Sequence, residues 1–130
     1  MSESAFVFPA LSRADVVQLL NGIAETQPDQ WVAPGGVYVS LIDEASGMYL
    51  DWEAHDVDEL TGAVGERPSW GVQLVYRLSQ RDQMLSLARL LLRDCGGVAY
   101  DDFCTHAWTT AQINADAQVA DARFGEGPVR

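Results

Sequence analysis

A single α+β domain is predicted by three observations on this 130-residue chain. Two long amphipathic stripes have helical spacing, runs of β-branched and aromatic residues of strand length separate them, and the composition lies in the globular range. Apolar residues make up 48% and charged residues 21%, far from the low-hydrophobicity, high-charge composition that keeps chains disordered. One core serves a chain of about 100 to 150 residues, so a second domain is not expected. The domain is read as spanning 1–130, with 110–130 as a peripheral helix and frayed tail.

Phe6 to Phe8 reads as a first strand stopped by Pro9. Ser12 and Asp15 resemble a capping box, able to satisfy the free N–H groups of a helical first turn. Val16, Leu19, Leu20 and Ile23 then recur at i, i+3, i+4 and i+7, one apolar stripe that ends near Glu25, before Pro28. Trp31 falls in a loop between Pro28 and Pro34. After Pro34-Gly35-Gly36, the run Val37 to Ile42 is β-branched and aromatic, which predicts a central strand. Glu44 to Gly47 supplies turn residues and Met48 to Ala54 alternates, so the two runs are expected to pair as an antiparallel hairpin. Val57, Leu60 and Val64 suffice for two helical turns between Asp56 and Val64.

Val72, Leu74, Tyr76 and Leu78 alternate with polar Gln73 and Arg77, predicting a half-buried strand over Trp70 to Leu78. Ser79 and Asp82 repeat the capping pattern ahead of a broad stripe formed by Met84, Leu85, Leu87, Ala88, Leu91 and Leu92. Gly96-Gly97 ends that helix, glycine being the residue that closes helices at positive φ. Val98 to Tyr100 begins the last strand. The tail from Thr110 holds one short helix, and Gly125 to Arg130 has the composition of a frayed end. This order predicts a ferredoxin-like sandwich: a mixed or antiparallel sheet of about five strands with two main helices packed on one face and the other face open.

Charge narrows the partner. The net charge is −11, from 19 acidic and 8 basic residues, and all eight basic residues are Arg. Lack of Lys beside abundant Ala, Gly, Val, Asp and Arg is what GC-rich bacterial coding produces. Between Asp43 and Glu66 stand eight carboxylates (Asp43, Glu44, Asp51, Glu53, Asp56, Asp58, Glu59 and Glu66) with no Lys or Arg. Such a field repels nucleic acid and anionic lipid, and it speeds encounter with a cationic partner. The aromatic, basic strand signatures of RNA-binding domains are missing too. The N-terminus lacks a basic region followed by an apolar run, and Leu90 to Leu92 falls far short of the roughly 20 residues that span a bilayer. A cytoplasmic protein without nucleic-acid or membrane partners is expected. Cys95 and Cys104 have neither zinc-ribbon nor redox spacing and are expected to be reduced.

Chemistry has two candidate locations. On a strand, Asp51, Glu53 and His55 at i, i+2 and i+4 would share one face, where they could hold a divalent metal, move a proton or simply meet solvent. Asp101 and Asp102, with His106 nearby, form the second; as neighbours they face opposite ways, so one is expected to cap a turn. No P-loop, dinucleotide fingerprint or nucleophile elbow is present, and Cys104 with His106 lacks an orienting third group. A non-catalytic protein without cofactor is therefore expected. Trp70 and Trp108 are expected in the core, and Trp31 and Trp52 at the surface as binding anchors.

In size, charge and the segment Leu90-Leu-Leu-Arg-Asp-Cys-Gly-Gly-Val-Ala-Tyr-Asp-Asp102, the chain resembles small acidic immunity proteins that neutralise bacterial toxins. That resemblance implies tight binding to a cognate toxin, usually by occluding its active site. Nuclease toxins that grip phosphate are cationic, so a carboxylate-rich surface can compete for the same site. The expected contacts are Asp51, Trp52, Glu53, Asp56, Asp58, Glu59 and Trp31, on a monomer or homodimer. The alternatives are a small-molecule or metal-binding domain, with or without enzymatic activity, using the open sheet face around Asp51, Glu53, His55 and Asp101, and a structural or adaptor subunit that dimerises through its sheet.

Overall fold

The computed structural model describes residues 2–128. It is an α+β fold built on a six-stranded sheet, with four α-helices and a small three-stranded sheet formed by the C-terminal segment. The main strands are β1 (Glu3–Phe8), β2 (Glu25–Thr26), β3 (Trp31–Ala33), β4 (Val37–Asp43), β5 (Trp70–Tyr76) and β6 (Val98–Asp101). They lie in the order β2-β3-β4-β5-β1-β6, and every adjacent pair is antiparallel. β1 and β4 therefore run the same way with β5 between them. The helix α1 (Arg13–Ile23) connects β1 towards β4, and α3 (Arg81–Cys95) connects β5 to β6.

Alternation along β1 divides the molecule into two cores. Ala5 and Val7 face one way, joining Val37, Val39, Val72, Leu74 and Ala99 beneath Val16 and Leu20 of α1 and the stripe of α3. The stripe behaves as its spacing predicts: Met84, Leu85, Leu87, Ala88, Leu91 and Leu92 are all buried. Fully burying an aliphatic side chain of this size stabilises by about 1.5 to 3 kcal/mol, so α3 is the main clamp on this face. Phe6 and Phe8 face the other way, with Tyr100 and Val98 of β6, beneath Leu60 of α2 (Ala54–Val64) and the side chains of Met48, Tyr49 and Trp52. The second face is thus partly roofed, where the strand and helix order alone left it open.

The predicted hairpin does not form. Val37 to Asp43 pairs instead with β5 on one edge and β3 on the other, and after Asp43 the chain makes a single 3₁₀ turn over Glu44–Ser46 and continues as turns up to α2. The Asp43 carboxylate accepts from the Ser46 amide at 2.8 Å, and Met48 N–H returns to the Asp43 carbonyl, so local capping outcompetes a second ladder. Trp31 lies on a strand, not in a loop, because β2 and β3 form a short hairpin beside β4.

Helix ends follow the sequence unevenly. Ser12 caps α1, its hydroxyl accepting from the Asp15 amide. Ser79 does not cap α3; a 3₁₀ turn over Leu78–Gln80 precedes that helix, and the Gln80 side-chain carbonyl accepts from the Arg77 amide. Gly97, at φ 99°, lies where a Cβ would stand 2.0 Å from the Phe8 carbonyl oxygen, so only glycine lets β6 leave α3 this close to β1.

The tail from Thr110 is ordered structure. α4 (Thr110–Ala115) carries a capping box between Thr109 and Gln112, and β7 (Gln118–Val119), β8 (Ala122–Arg123) and β9 (Gly127–Pro128) form their own antiparallel sheet. Gly127 and Pro128 belong to that sheet and Gly125 and Glu126 to the turn before it, whereas the rest of the expected frayed end lies outside the described residues. Phe124 is buried against Trp108, with ring centroids 6.0 Å apart. Among the described residues, no helix is long and apolar enough to cross a membrane.

Candidate functional site

Both carboxylate sets read from the sequence meet at one place. A cavity of about 290 Å³ opens between the turn before α2, the first turn of α2, and the segment that follows β6. Asp51, Glu53 and Asp56 line one wall, and Asp101, Asp102 and Thr105 the other, with Trp52, Tyr100, Phe103 and Cys104 between them. No Lys, Arg or His lines this cavity. Five carboxylates with no Lys or Arg among the lining residues make a negative potential there, with His55 Nε2 3.7 Å from the Asp56 carboxylate just outside the lining.

Each carboxylate has a different local role. Asp56, in the first turn of α2, is half-buried and accepts from the Tyr100 hydroxyl at 2.5 Å and the Thr105 hydroxyl at 2.7 Å. It thereby ties α2 to β6 and the following loop. Burial, and then the hydrogen bond and charge of Asp56, push the Tyr100 hydroxyl far above its usual range, so it remains a proton donor. Asp101 is the turn cap that adjacency predicted. Its Oδ1 accepts from the Phe103 and Cys104 amides at 3.1 and 3.2 Å, and its Oδ2 from the Gly125 amide at 2.7 Å. Burial raises its carboxyl, against the pull of those three N–H donors and of His106.

Asp102 faces the opposite way, exposed at the rim. Partial enclosure, and then the charges of Asp101, Glu3 and Asp56, raise its carboxyl above the usual range. Cys104 sits half-buried beside them; burial, and next the Asp101 charge, push its thiol up to about 11, which suppresses the nucleophilic thiolate. Cys95 is buried and its thiol is also raised, first by burial.

The remaining predicted contacts spread out. Asp51, Glu53, His55, Asp58 and Glu59 are exposed, on the turn and along α2. The strand spacing that would have aligned Asp51, Glu53 and His55 does not exist, since Asp51 lies in a turn, Glu53 stands at the N-cap position of α2 without a side-chain cap hydrogen bond, and His55 belongs to its first turn. Among the described residues, no group of three His, Cys, Asp or Glu side chains is gathered closely enough to hold a metal ion. Trp52 is only half-exposed, hemmed by Phe6, Phe8, Tyr49 and Tyr100 with ring centroids 4.9 to 5.9 Å away. Trp31 is remote from all of these; it packs on the α1 face and donates its indole N–H to Asn21 at 2.8 Å.

A second, smaller depression of about 280 Å³ adjoins the first, sharing Asp51, Trp52 and Asp102 and extending over Ser4, Ile42 and Gln73. Beside it, Leu50 stands 86% exposed at the tip of the turn. Sequence reading overlooked Leu50, Tyr100 and Thr105. The tip position of Leu50 depends on the turn that replaced a strand, and Tyr100 and Thr105 matter only because α2 folds over β6. Compared with protein-family models, with curated proteins and with solved structures, the chain matches none.

Proposed function

We propose that this chain is a non-catalytic binding protein that receives a cationic protein surface on the acidic face formed by the turn before α2, α2 itself and the β6 end. The observation that carries this reading is the cavity with Asp51, Glu53, Asp56, Asp101 and Asp102 in its walls and no Lys or Arg among its lining residues. A partner Arg or Lys entering it is attracted by several carboxylates at once. Asp58 and Glu59 extend the same field along α2, and Leu50 supplies an apolar tip next to Asp51. Trp52 forms part of the cavity wall, and Trp31 is outside this surface.

The partner class we propose is a bacterial toxin whose cationic active site this surface occludes, which makes the chain an immunity protein acting in the cytoplasm. The strand order β4-β5-β1-β6, with α1 and α3 packed on one face, supports a ferredoxin-like unit to which the β2–β3 hairpin, α2 and the C-terminal sheet are additions. A small cationic molecule is the second reading, favoured by a cavity close to the lower end of the roughly 300 to 1,000 Å³ of small-molecule sites.

Affinity capture from the source lysate at low and moderate salt tests the proposal. One stoichiometric cationic partner is expected, released by salt and by the combined changes Asp51→Asn, Glu53→Gln, Asp58→Asn and Glu59→Gln. Retention that ignores these changes would remove the acidic face from the site. Absence of any protein partner, together with stabilisation by a low-molecular-weight amine, would favour the second reading.

A further inference from the structure

The C-terminal segment from Asp116 to Pro128 is a separately hydrogen-bonded strap, fastened to the body by three buried side chains, Arg81, Tyr76 and Asp101. The Arg81 guanidinium donates to both Asp116 carboxylate oxygens at 2.6 and 3.1 Å and to the Phe124 carbonyl at 2.8 and 3.1 Å, with Glu126 at 3.5 Å. Gly125 is held at both ends, its carbonyl accepting from the Tyr76 hydroxyl at 2.6 Å and its amide donating to Asp101. The strap also carries backbone strain. Asp116, Ala120 and Asp121 have φ values of 49°, 50° and 64°, left-handed conformations that side chains other than glycine resist. Burial of Ala122 and of Phe124 against Trp108 adds an apolar anchor to these polar fastenings.

One of those fastenings is shared with the acidic cavity. Asp101 is 2% exposed, and its two oxygens divide their work: Oδ2 takes the strap amide, while Oδ1 takes the amides of Phe103 and Cys104, which line the cavity. The strap also lies directly on Phe103, since a Cβ added to Gly127 would stand 2.9 Å from that ring. We propose that the strap and the cavity wall at Phe103–Thr105 are one two-state unit, in which strap docking on Arg81 and Asp101 holds the wall in place and strap release opens it at Cys104. A buried carboxylate that loses one donor incurs a desolvation cost, and the hydrogen bonds it keeps on the Phe103 and Cys104 amides couple that cost to the turn. This holds whatever occupies the cavity.

Cys104 reports on the wall and backbone amides report on the strap. Hydrogen exchange and thiol labelling with a disulfide reagent, with the modified cysteine assigned by peptide mass, are to be compared between the wild-type protein and Arg81→Gln. In the variant, exchange at Val119 and Gly125 and labelling at Cys104 are both expected to rise by about tenfold or more, while ladder amides of β1 and β5 do not change. Faster strap exchange with unchanged Cys104 labelling would overturn the coupling, and no change in either would overturn Arg81 as the fastening. If Arg81→Gln does not fold, Asp116→Asn weakens the same fastening from its more exposed side and gives the same two readouts. Parallel rises support the unit, and a rise in one alone overturns it.

Discussion

Asp101 shows how one side chain serves two neighbours. Replacing it with Asn puts an amide NH₂ where a carboxylate oxygen now faces backbone N–H donors, and a buried group deprived of its partner costs about 1 to 3 kcal/mol. Asp101→Asn is therefore expected to lower the unfolding free energy obtained from urea titration by that amount, and an unchanged value would refute the role. Asp101 and Asp116 also respond to pH in opposite senses. The hydrogen bond from Arg81 holds the Asp116 carboxyl below its ordinary 3.8. Its contribution is present above that value and is lost as pH falls through the lowered folded value. Burial raises the Asp101 carboxyl, so its contribution is complete below 3.8 and is lost as pH rises through the raised folded value. Urea titrations between about pH 3 and pH 7 should show the penalty of Asp116→Asn shrinking below about pH 4. A penalty that does not vary across that range would mean that the ion pair does not titrate with folding.

Among the elements, α2 depends most on one contact. It buries only Leu60 fully, and the hydrogen bond from Tyr100 to Asp56 pins its first turn to β6. Tyr100→Phe keeps the ring packed on Trp52 and removes that donor, at an expected cost of about 1.5 to 3 kcal/mol for a hydrogen bond to a charged group. Exchange of α2 amides should accelerate more than that of α3 amides; equal acceleration would mean global loosening. In contrast, α3 is held by its stripe, and Leu91→Ala should cost about 2 to 5 kcal/mol of global stability in a urea melt. The long stripe of α3 was legible because six apolar residues from Met84 to Leu92 repeat at helical spacing, and all six are buried, whereas the burial of Arg81 carries no such signal. The segment Met48 to Ala54 was misread because turns, cap and aromatic packing can produce the same alternation as a strand, and only the competing ladders of β3 and β5 decide.

For the whole molecule, the one-sided charge governs both stability and encounter. With a net charge of −11, self-repulsion opposes the compact state, and salt screens it over a Debye length of about 10 Å at 0.1 M. Thermal melting is expected to shift upward as sodium chloride rises from low to moderate concentration, while capture of a cationic partner weakens; a downward shift would show that ion pairs such as Arg81–Asp116 outweigh the repulsion. The sequence by itself determined the α+β class, the main strands β1, β4, β5 and β6, the helices α1 and α3 and the acidic character of residues 43–66, because these follow from local periodicity and composition. Only the tertiary structure decided that Asp51, Glu53 and Asp56 line one cavity with Asp101 and Asp102, that Trp31 lies elsewhere and that the tail folds back onto Arg81. Those meetings join residues tens of positions apart, and they depend on which faces of the sheet α2 and the strap cover, a choice set by packing and buried hydrogen bonds that no short stretch of sequence contains.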